Sequence, residues 1–194
     1  MQIIDFIKDK YKVDIKQPVV KLRMDRFRLF PSLLNELKLR KGAEIGVLKG
    51  TYSKWLFSRI RGLKLFLIDP YLSYDDYLRE RGQKEMDRHE ATAKVRLAKY
   101  NCEFIKKTSM EALDDIPDES LDFVYIDANH AFDWVMEDII HWSKKVKKGG
   151  VVSGHDYSPY HFEVKDAVDV WVKVKKIKPL FLIGDKTWFY INNK

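Results

Sequence analysis

Three features of the sequence predict an α/β fold, doubly wound, with a mostly parallel sheet closed by a reversed strand in a C-terminal hairpin. Strand-like apolar runs alternate with helical patterns from about Ala43 onward, and such alternation places helices on both faces of a parallel sheet. LDFVYIDA, Leu121 to Ala128, is almost continuously apolar, as a strand buried on both faces must be. Near the C-terminus, PLFLIGDKTWFYIN divides into two β-rich runs at Gly184-Asp185, the signature of a two-residue hairpin.

The elements follow in order. Residues 1–40, with Pro31 near the start of PSLLNELKL, predict a helical segment packed on the core or covering the binding edge. A single domain over 41–194 is expected behind it. AEIGVL opens that domain as a strand and leads into a helix from Thr51 to Ile60. LKLFLID, Leu63 to Asp69, is the next strand. The tyrosine-rich YLSYDDYLRERG leads to a helical segment ending near Tyr100. CEFIKK forms a short strand and SMEALDDI a short helix. After the Leu121 strand, Phe132, Val135, Ile139, Trp142 and Val146 recur at helical spacing and define one buried stripe. Gly149-Gly150 stops that helix and opens the strand VVSG. Val164, Val168, Trp171 and Val172 mark the last helix. Trp134, Trp142 and Trp171 are expected to pack these helices.

Composition narrows the class. With 194 residues, 45% of them hydrophobic, the chain suffices for one domain with a substantial core. The formal charge of +7 invites nucleic acid, but the lysines are scattered and punctuate helix ends, where cations complement the dipole. No basic-aromatic motif accompanies them, so a nucleic-acid partner is not favoured. Cys102 is the lone cysteine, which rules out an intrachain disulfide and fits a reducing cytoplasm. Charges interrupt every short apolar run of MQIIDFIKDKYK, so no signal peptide is expected. No run approaches the roughly 18 apolar residues of a membrane span. A cytoplasmic protein without a membrane partner is the expectation, and a homo-oligomer stays open.

The stretch AEIGVLKGTYS carries the functional argument. Glu44 sits late in an apolar strand, and Gly46 and Gly50 lie where that strand turns into its helix. In a doubly wound sheet ligands bind at the carboxyl ends of strands, and glycines there let a ligand approach the main chain. A dinucleotide site would want G-x-G-x-x-G. Here the spacing is E-x-G-x-x-x-G, and a carboxylate would repel a diphosphate. A ligand with a positive amino-acid end and no phosphate fits better, as S-adenosylmethionine does.

AEIGVLKG resembles the first motif of class I S-adenosylmethionine-dependent methyltransferases, and the remaining motifs follow in order. The resemblance runs from about Leu33 to the C-terminus and implies a Rossmann-like sheet of seven strands. It implies that Asp69, ending LFLID, accepts both ribose hydroxyls, and that Ser109 and Met110 in KKTSMEAL neighbour the adenine. Asp127, in VYIDANH, is also expected at the cofactor. Read singly, Glu44 is equally a capping or surface carboxylate and Asp69 a turn residue before Pro70. The conjunction is what carries weight.

Two short segments offer chemistry. IDANH presents Asp127, Asn129 and His130, and SGHDY presents His155, Asp156 and Tyr157. Adjacent parallel strands would open both onto one rim above the donor. Methyl transfer is an in-line displacement needing alignment and exclusion of water, and the acceptor must lose a proton to a base or to a metal-bound state. The segments are similar to small O-methyltransferases, some of which bind a divalent cation. That likeness implies Asp127, His155 and Asp156 as ligands. His155 stands where an oxygen ligand is usual, so the set suits Mn²⁺, Fe²⁺ or Zn²⁺ better than Mg²⁺. Without a metal, His130 or His155 serves as base, giving a catalytic set of Asp127, His130 and His155. The bland alternative for His130 is an idle residue ahead of the helix AFDWVMEDII. His89, His141 and His161 read as structural. Tyr71, Tyr74 and Tyr77 form either a lid or a solvated loop.

The leading reading is methyl transfer to a hydroxyl of a small molecule or saccharide. A nucleic-acid methyltransferase is the alternative prompted by the charge, though no Asn-Pro-Pro-aromatic motif follows the fourth strand. A non-catalytic binding module retaining the fold is the other.

Overall fold

The computed structural model describes residues 3–76 and 79–193, with residues 74–76 and 79–81 as backbone only. The N-terminal segment comprises α1 (Ile3–Tyr11), β1 (Val19–Leu22) and α2 (Arg26–Glu36). The alternating units follow: β2 (Lys41–Ile45), α3 (Thr51–Phe57), β3 (Lys64–Ile68), a small hairpin of β4 (Tyr74–Asp76) and β5 (Arg79–Arg81), α4 (Gln83–Leu97) and β6 (Cys102–Ile105). A 3-10 turn (Glu111–Asp115) leads to β7 (Leu121–Ile126), α5 (Phe132–Lys145), β8 (Val146–Gly154), α6 (Phe162–Lys175), β9 (Leu180–Ile183) and β10 (Trp188–Ile191).

The main sheet has eight strands in the order β1-β9-β10-β8-β7-β2-β3-β6. All neighbours are parallel except β10, which runs against β8 and β9. The order doubles back at β2, which lies between β3 and β7, so ligands are expected at the carboxyl ends of these three strands. Side-chain alternation then assigns the two faces. Phe123 and Tyr125 of β7 join the cluster built by α1, α2, α3 and α4, while Val124 and Ile126 join that of α5 and α6.

The predicted seven strands are joined by an eighth. β1 pairs with β9 in parallel, Val19 opposite Leu180 and Leu22 opposite Ile183. The segment before residue 41 is therefore helical only in part, and it extends the sheet instead of merely resting on it. Its four-residue strand buries alternate side chains, Val20 and Leu22, too short a pattern to stand out with Lys21 between them and Arg23 next. Pro31 lies inside α2, whose start is Arg26. Proline removes the N–H that would reach the Phe27 carbonyl, and the Trp55 indole N–H donates to that carbonyl instead at 3.0 Å.

Two turns depart from expectation. The closing hairpin has a three-residue loop, Gly184 to Lys186, since the Ile183 N–H donates to the Thr187 carbonyl. The left-handed position is Lys186, φ 69°, as three-residue hairpin loops require. Gly149-Gly150 falls within β8 and does not precede it. In the tyrosine-rich stretch, Tyr77 lies outside the described residues, so the lid reading is not addressed there.

Candidate active site

The turn after β2 is built by steric necessity. Gly46 has φ +88°, and a Cβ there would collide with the Asp127 carbonyl oxygen at the end of β7. Only glycine lets the two strand ends sit this close. Gly50 has φ +64° as the N-cap of α3, and a Cβ would fall 2.7 Å from Leu97 Cδ1 of α4. Their N–H groups are not offered to a ligand: Gly46 donates to the Ile68 carbonyl at 2.9 Å and Gly50 to the Val47 carbonyl at 2.8 Å. This corrects the expected main-chain grip. The glycines shape the turn rather than donate from it.

Both predicted acids converge on that turn. Asp69 Oδ2 accepts from the N–H groups of Val47 at 3.0 Å and Leu48 at 2.8 Å, and Oδ1 accepts from Tyr71 N at 2.9 Å. A carboxylate offers about four acceptor positions, so one remains for a ligand donor. Burial raises the Asp69 carboxyl despite these bonds. Glu44 is 4% exposed and accepts from the Ser53 hydroxyl. Burial pushes its carboxyl up to about 8, with Asp127 and Asp69 adding to the rise. Near neutral pH it keeps its proton until a positive group approaches. Beside the turn, the buried hydroxyls of Tyr52 and Tyr71 have no hydrogen-bond partner among the described residues.

Ser109 turns inward. It donates to Asp138 and accepts from the Trp142 indole at 2.7 Å, a clip that fastens the loop after β6 to α5. Burial pushes Asp138 up to about 7. Of the two expected adenine neighbours only Met110, half-buried at the start of the 3-10 turn, keeps its side chain uncommitted to such a bond.

The ends of β7 and β8 meet as expected. Asp156, two residues beyond the end of β8, adopts φ 58°, a left-handed conformation that strained functional positions often show. Three imidazoles surround its carboxylate. His130 Nε2 lies 3.1 Å and His155 Nδ1 3.3 Å from Oδ2, and His161 Nδ1 lies 3.5 Å from Oδ1. Burial alone would raise this carboxyl, but hydrogen bonds from His130 and His155 outweigh it and hold the group far below its ordinary range. Asp127 adds a second carboxylate, its Oδ1 3.9 Å from His155 Nδ1. Burial raises Asp127, against the pull of His155 and Arg26.

His155 defines what the cluster can hold. Its Nε2 lies 2.8 Å from the Asp185 carbonyl oxygen, which can only accept, so Nε2 carries the proton. Nδ1 then faces two carboxylates either as part of an imidazolium or as a lone pair that suits a cation between them. Ligand atoms of Asp127, His155 and Asp156 lie within 4.8 Å of one another, as do those of His130, Asp156 and His161. The donor set fits a divalent ion. Tyr157 is not part of this rim, because its hydroxyl donates to Asp169 at 2.7 Å, and Asn129 accepts from Ala131 N at 2.9 Å.

Two residues that the sequence reading left out of the site join it. His161, read there as structural, packs its ring 5.0 Å from that of His130. Arg26 enters from the N-terminal segment: Nη1 donates to the Tyr125 hydroxyl at 2.6 Å and lies 3.7 Å from Asp127 Oδ2. A signal for Arg26 was available, since a cation in the first turn of a helix opposes the dipole and so needs another reason to be there.

A doubled-back parallel sheet with one reversed strand, and a glycine turn flanked by two acids at its rim, define the class I methyltransferase frame. A family model described as a methyltransferase domain matches residues 43–157, more than half of the chain, and the chain belongs to that family. Among solved structures, cofactor-bound Rv0187 from MTB is 12% identical, with a TM-score of 0.66 over 97% of this chain and 88% of that one. The O-methyltransferase NovP is 16% identical, with a TM-score of 0.65 over 87% of this chain and 78% of its own. The O-methyltransferase TomG from Streptomyces achromogenes, solved in complex with SAM, is 16% identical, with a TM-score of 0.60 over 86% of this chain and 79% of its own. At these identities the likeness shows the fold. The uncharacterized protein y4gI of Sinorhizobium fredii is 40% identical over 52 residues, a match covering 27% of this chain and 6% of that protein.

Proposed function

We propose that the protein transfers the methyl group of S-adenosylmethionine to a hydroxyl of a small molecule or saccharide, in the cytoplasm. One observation carries the reading: Asp127 joins both halves of the rim, its Oδ2 facing Arg26 near the glycine turn and its Oδ1 facing the His155–Asp156 cluster. The donor would lie across the tips of β2 and β3. Glu44 and Asp127 suit its positive end, Asp69 keeps one acceptor position for a ribose hydroxyl, and Met110 borders the base. The fold shared with NovP and with SAM-bound TomG supports this placement. Among the described residues, no helix is long and apolar enough to cross a membrane.

Asp127, His155 and Asp156 would hold a divalent cation. When bound, such an ion lowers the pKa of an acceptor hydroxyl and orients it. His130, whose Nε2 shares Asp156 Oδ2 with His155 Nδ1, takes the acceptor's proton in this reading, and Asp156 holds the ring in place and stabilises its charged form. Calorimetric titration with S-adenosylmethionine tests the donor, and absence of binding at millimolar ligand would overturn the assignment. Transfer of labelled methyl to hydroxyl compounds, measured with and without Mn²⁺ or Mg²⁺, tests the acceptor class and the ion.

A further inference from the structure

We propose that Arg26 and Asp127 form a clamp for an α-amino-acid zwitterion, with the guanidinium taking the donor's methionine carboxylate and Asp127 its ammonium. The inference rests on the donor named above and adds an assignment for its amino-acid end.

The geometry asks for such a ligand. Arg26 opens α2 directly after the N-cap Asp25, and its side chain is 16% exposed. The guanidinium carbon sits 4.9 Å from the centre of the Tyr52 ring and 5.2 Å from that of Phe27, a cation–π contact with each. Tyr125 and Asp127 keep it firmly charged although burial opposes this. A guanidinium has five N–H donors, yet the hydrogen bond to Tyr125 is the one its side chain makes among the described residues. Nε is buried without a hydrogen-bond partner among those residues. The flanking carboxylates stand back, Asp127 Oδ2 at 3.7 Å from Nη1 and Asp185 Oδ2 at 3.6 Å from Nε. A buried charged group left this short of hydrogen bonds is costly. A ligand carboxylate would complete the fork in two-pronged fashion.

Position selects the donor as the source of that carboxylate. Tyr52 lies in the first turn of α3, directly after the Gly46–Gly50 turn, and its own buried hydroxyl has no hydrogen-bond partner among the described residues. Arg26 therefore roofs the end of the rim where the glycine turn and Asp127 meet. A cation and an anion 3.7 Å apart form a pair that a zwitterion can enter head to tail, each of its charges meeting the opposite one. A carboxylate on the acceptor offers the same chemistry, and the ligands below separate the two sources.

The test is calorimetric titration of the full chain with three ligands: S-adenosylhomocysteine, decarboxylated S-adenosylmethionine and 5′-methylthioadenosine. These carry both charges, the ammonium alone, and neither charge of the amino-acid end. In Arg26→Gln, S-adenosylhomocysteine should weaken roughly thirtyfold, as loss of a charge-assisted bond predicts, while the other two change less than about threefold. Arg26→Lys should recover part of the loss. Methylthioadenosine affinity also reports that the variant is folded. Equal weakening of all three ligands would make Arg26 a structural residue and overturn the proposal. Unchanged S-adenosylhomocysteine affinity in Arg26→Gln would assign the guanidinium to the acceptor and overturn it, leaving the donor reading intact. Wild-type protein that binds none of the three would overturn both.

Discussion

The two halves of the rim differ in how their polar groups are spent. Around the β2–β3 end, the turn is closed on itself: four N–H groups, from Gly46, Val47, Leu48 and Gly50, are paired within the chain. Around the β7–β8 end, three histidines and two carboxylates face one another at 3.1 to 3.9 Å. The first half is a preformed cradle whose shape is fixed by packing. The second is a set of groups whose protons and partners can change, which is what catalysis needs. Substitutions should therefore separate into those that damage the fold and those that damage the reaction.

The sharpest way to break this contrast is Asp127, which belongs to both halves. Asp127→Ala should lower methyl transfer by about 10³-fold and weaken S-adenosylhomocysteine binding by roughly tenfold, read by labelled-methyl transfer and calorimetry. An intact reaction would mean that the halves do not cooperate. Next comes Gly46→Ala, which forces an L residue into a left-handed turn and against the Asp127 backbone. Urea unfolding should show a loss of about 3 kcal/mol. A loss below about 1 kcal/mol would show that the turn is not held by packing. His130→Ala should lower transfer by about 10²-fold with donor affinity nearly unchanged. His161→Ala should cost about tenfold, because it touches Asp156 and not the reacting oxygen. If His161 proves the more damaging, the assignment of the base is reversed.

The smallest effect concerns stability and pH. Asp138 has its folded pKa raised from 3.8 to about 7 by burial. The folded chain thus binds the extra proton, so this contribution is complete below about pH 4 and lost as pH rises through about 7. Asp138→Asn, which mimics the protonated form, should remove that decline. Thermal unfolding at pH 6 and pH 8 should differ by about 3–5 °C less in the variant than in wild type, an effect of about 1.4 kcal/mol. An unchanged slope would place the titration elsewhere.

Much of the frame was legible because long apolar runs and a terminal hairpin leave strong local patterns. Glu44, Asp69, Asp127, His155 and Asp156 could be placed along one rim because each sits at or beside a strand end, where sequence order fixes proximity. What stayed hidden depends on distant partners. β1 is a four-residue strand whose pairing with β9 spans most of the chain. Ser109 read as ligand-facing because its inward partner, Asp138, lies 29 residues away. Arg26 reaches the rim through a segment with no motif, and its partner Tyr125 lies 99 residues further along the chain. His161 looked like an ordinary helix residue, although it begins α6 beside Asp156. The hairpin loop was misjudged by one residue because the left-handed position falls on Lys186 rather than on glycine.

A crystal structure of the protein with S-adenosylhomocysteine would test the central claim most directly. The account predicts the homocysteine end between Arg26 and Asp127, a ribose hydroxyl on Asp69, and the sulfur pointing toward the His155–Asp156 cluster. Ligand density away from the β2 and β3 tips, or no density at millimolar ligand, would contradict it.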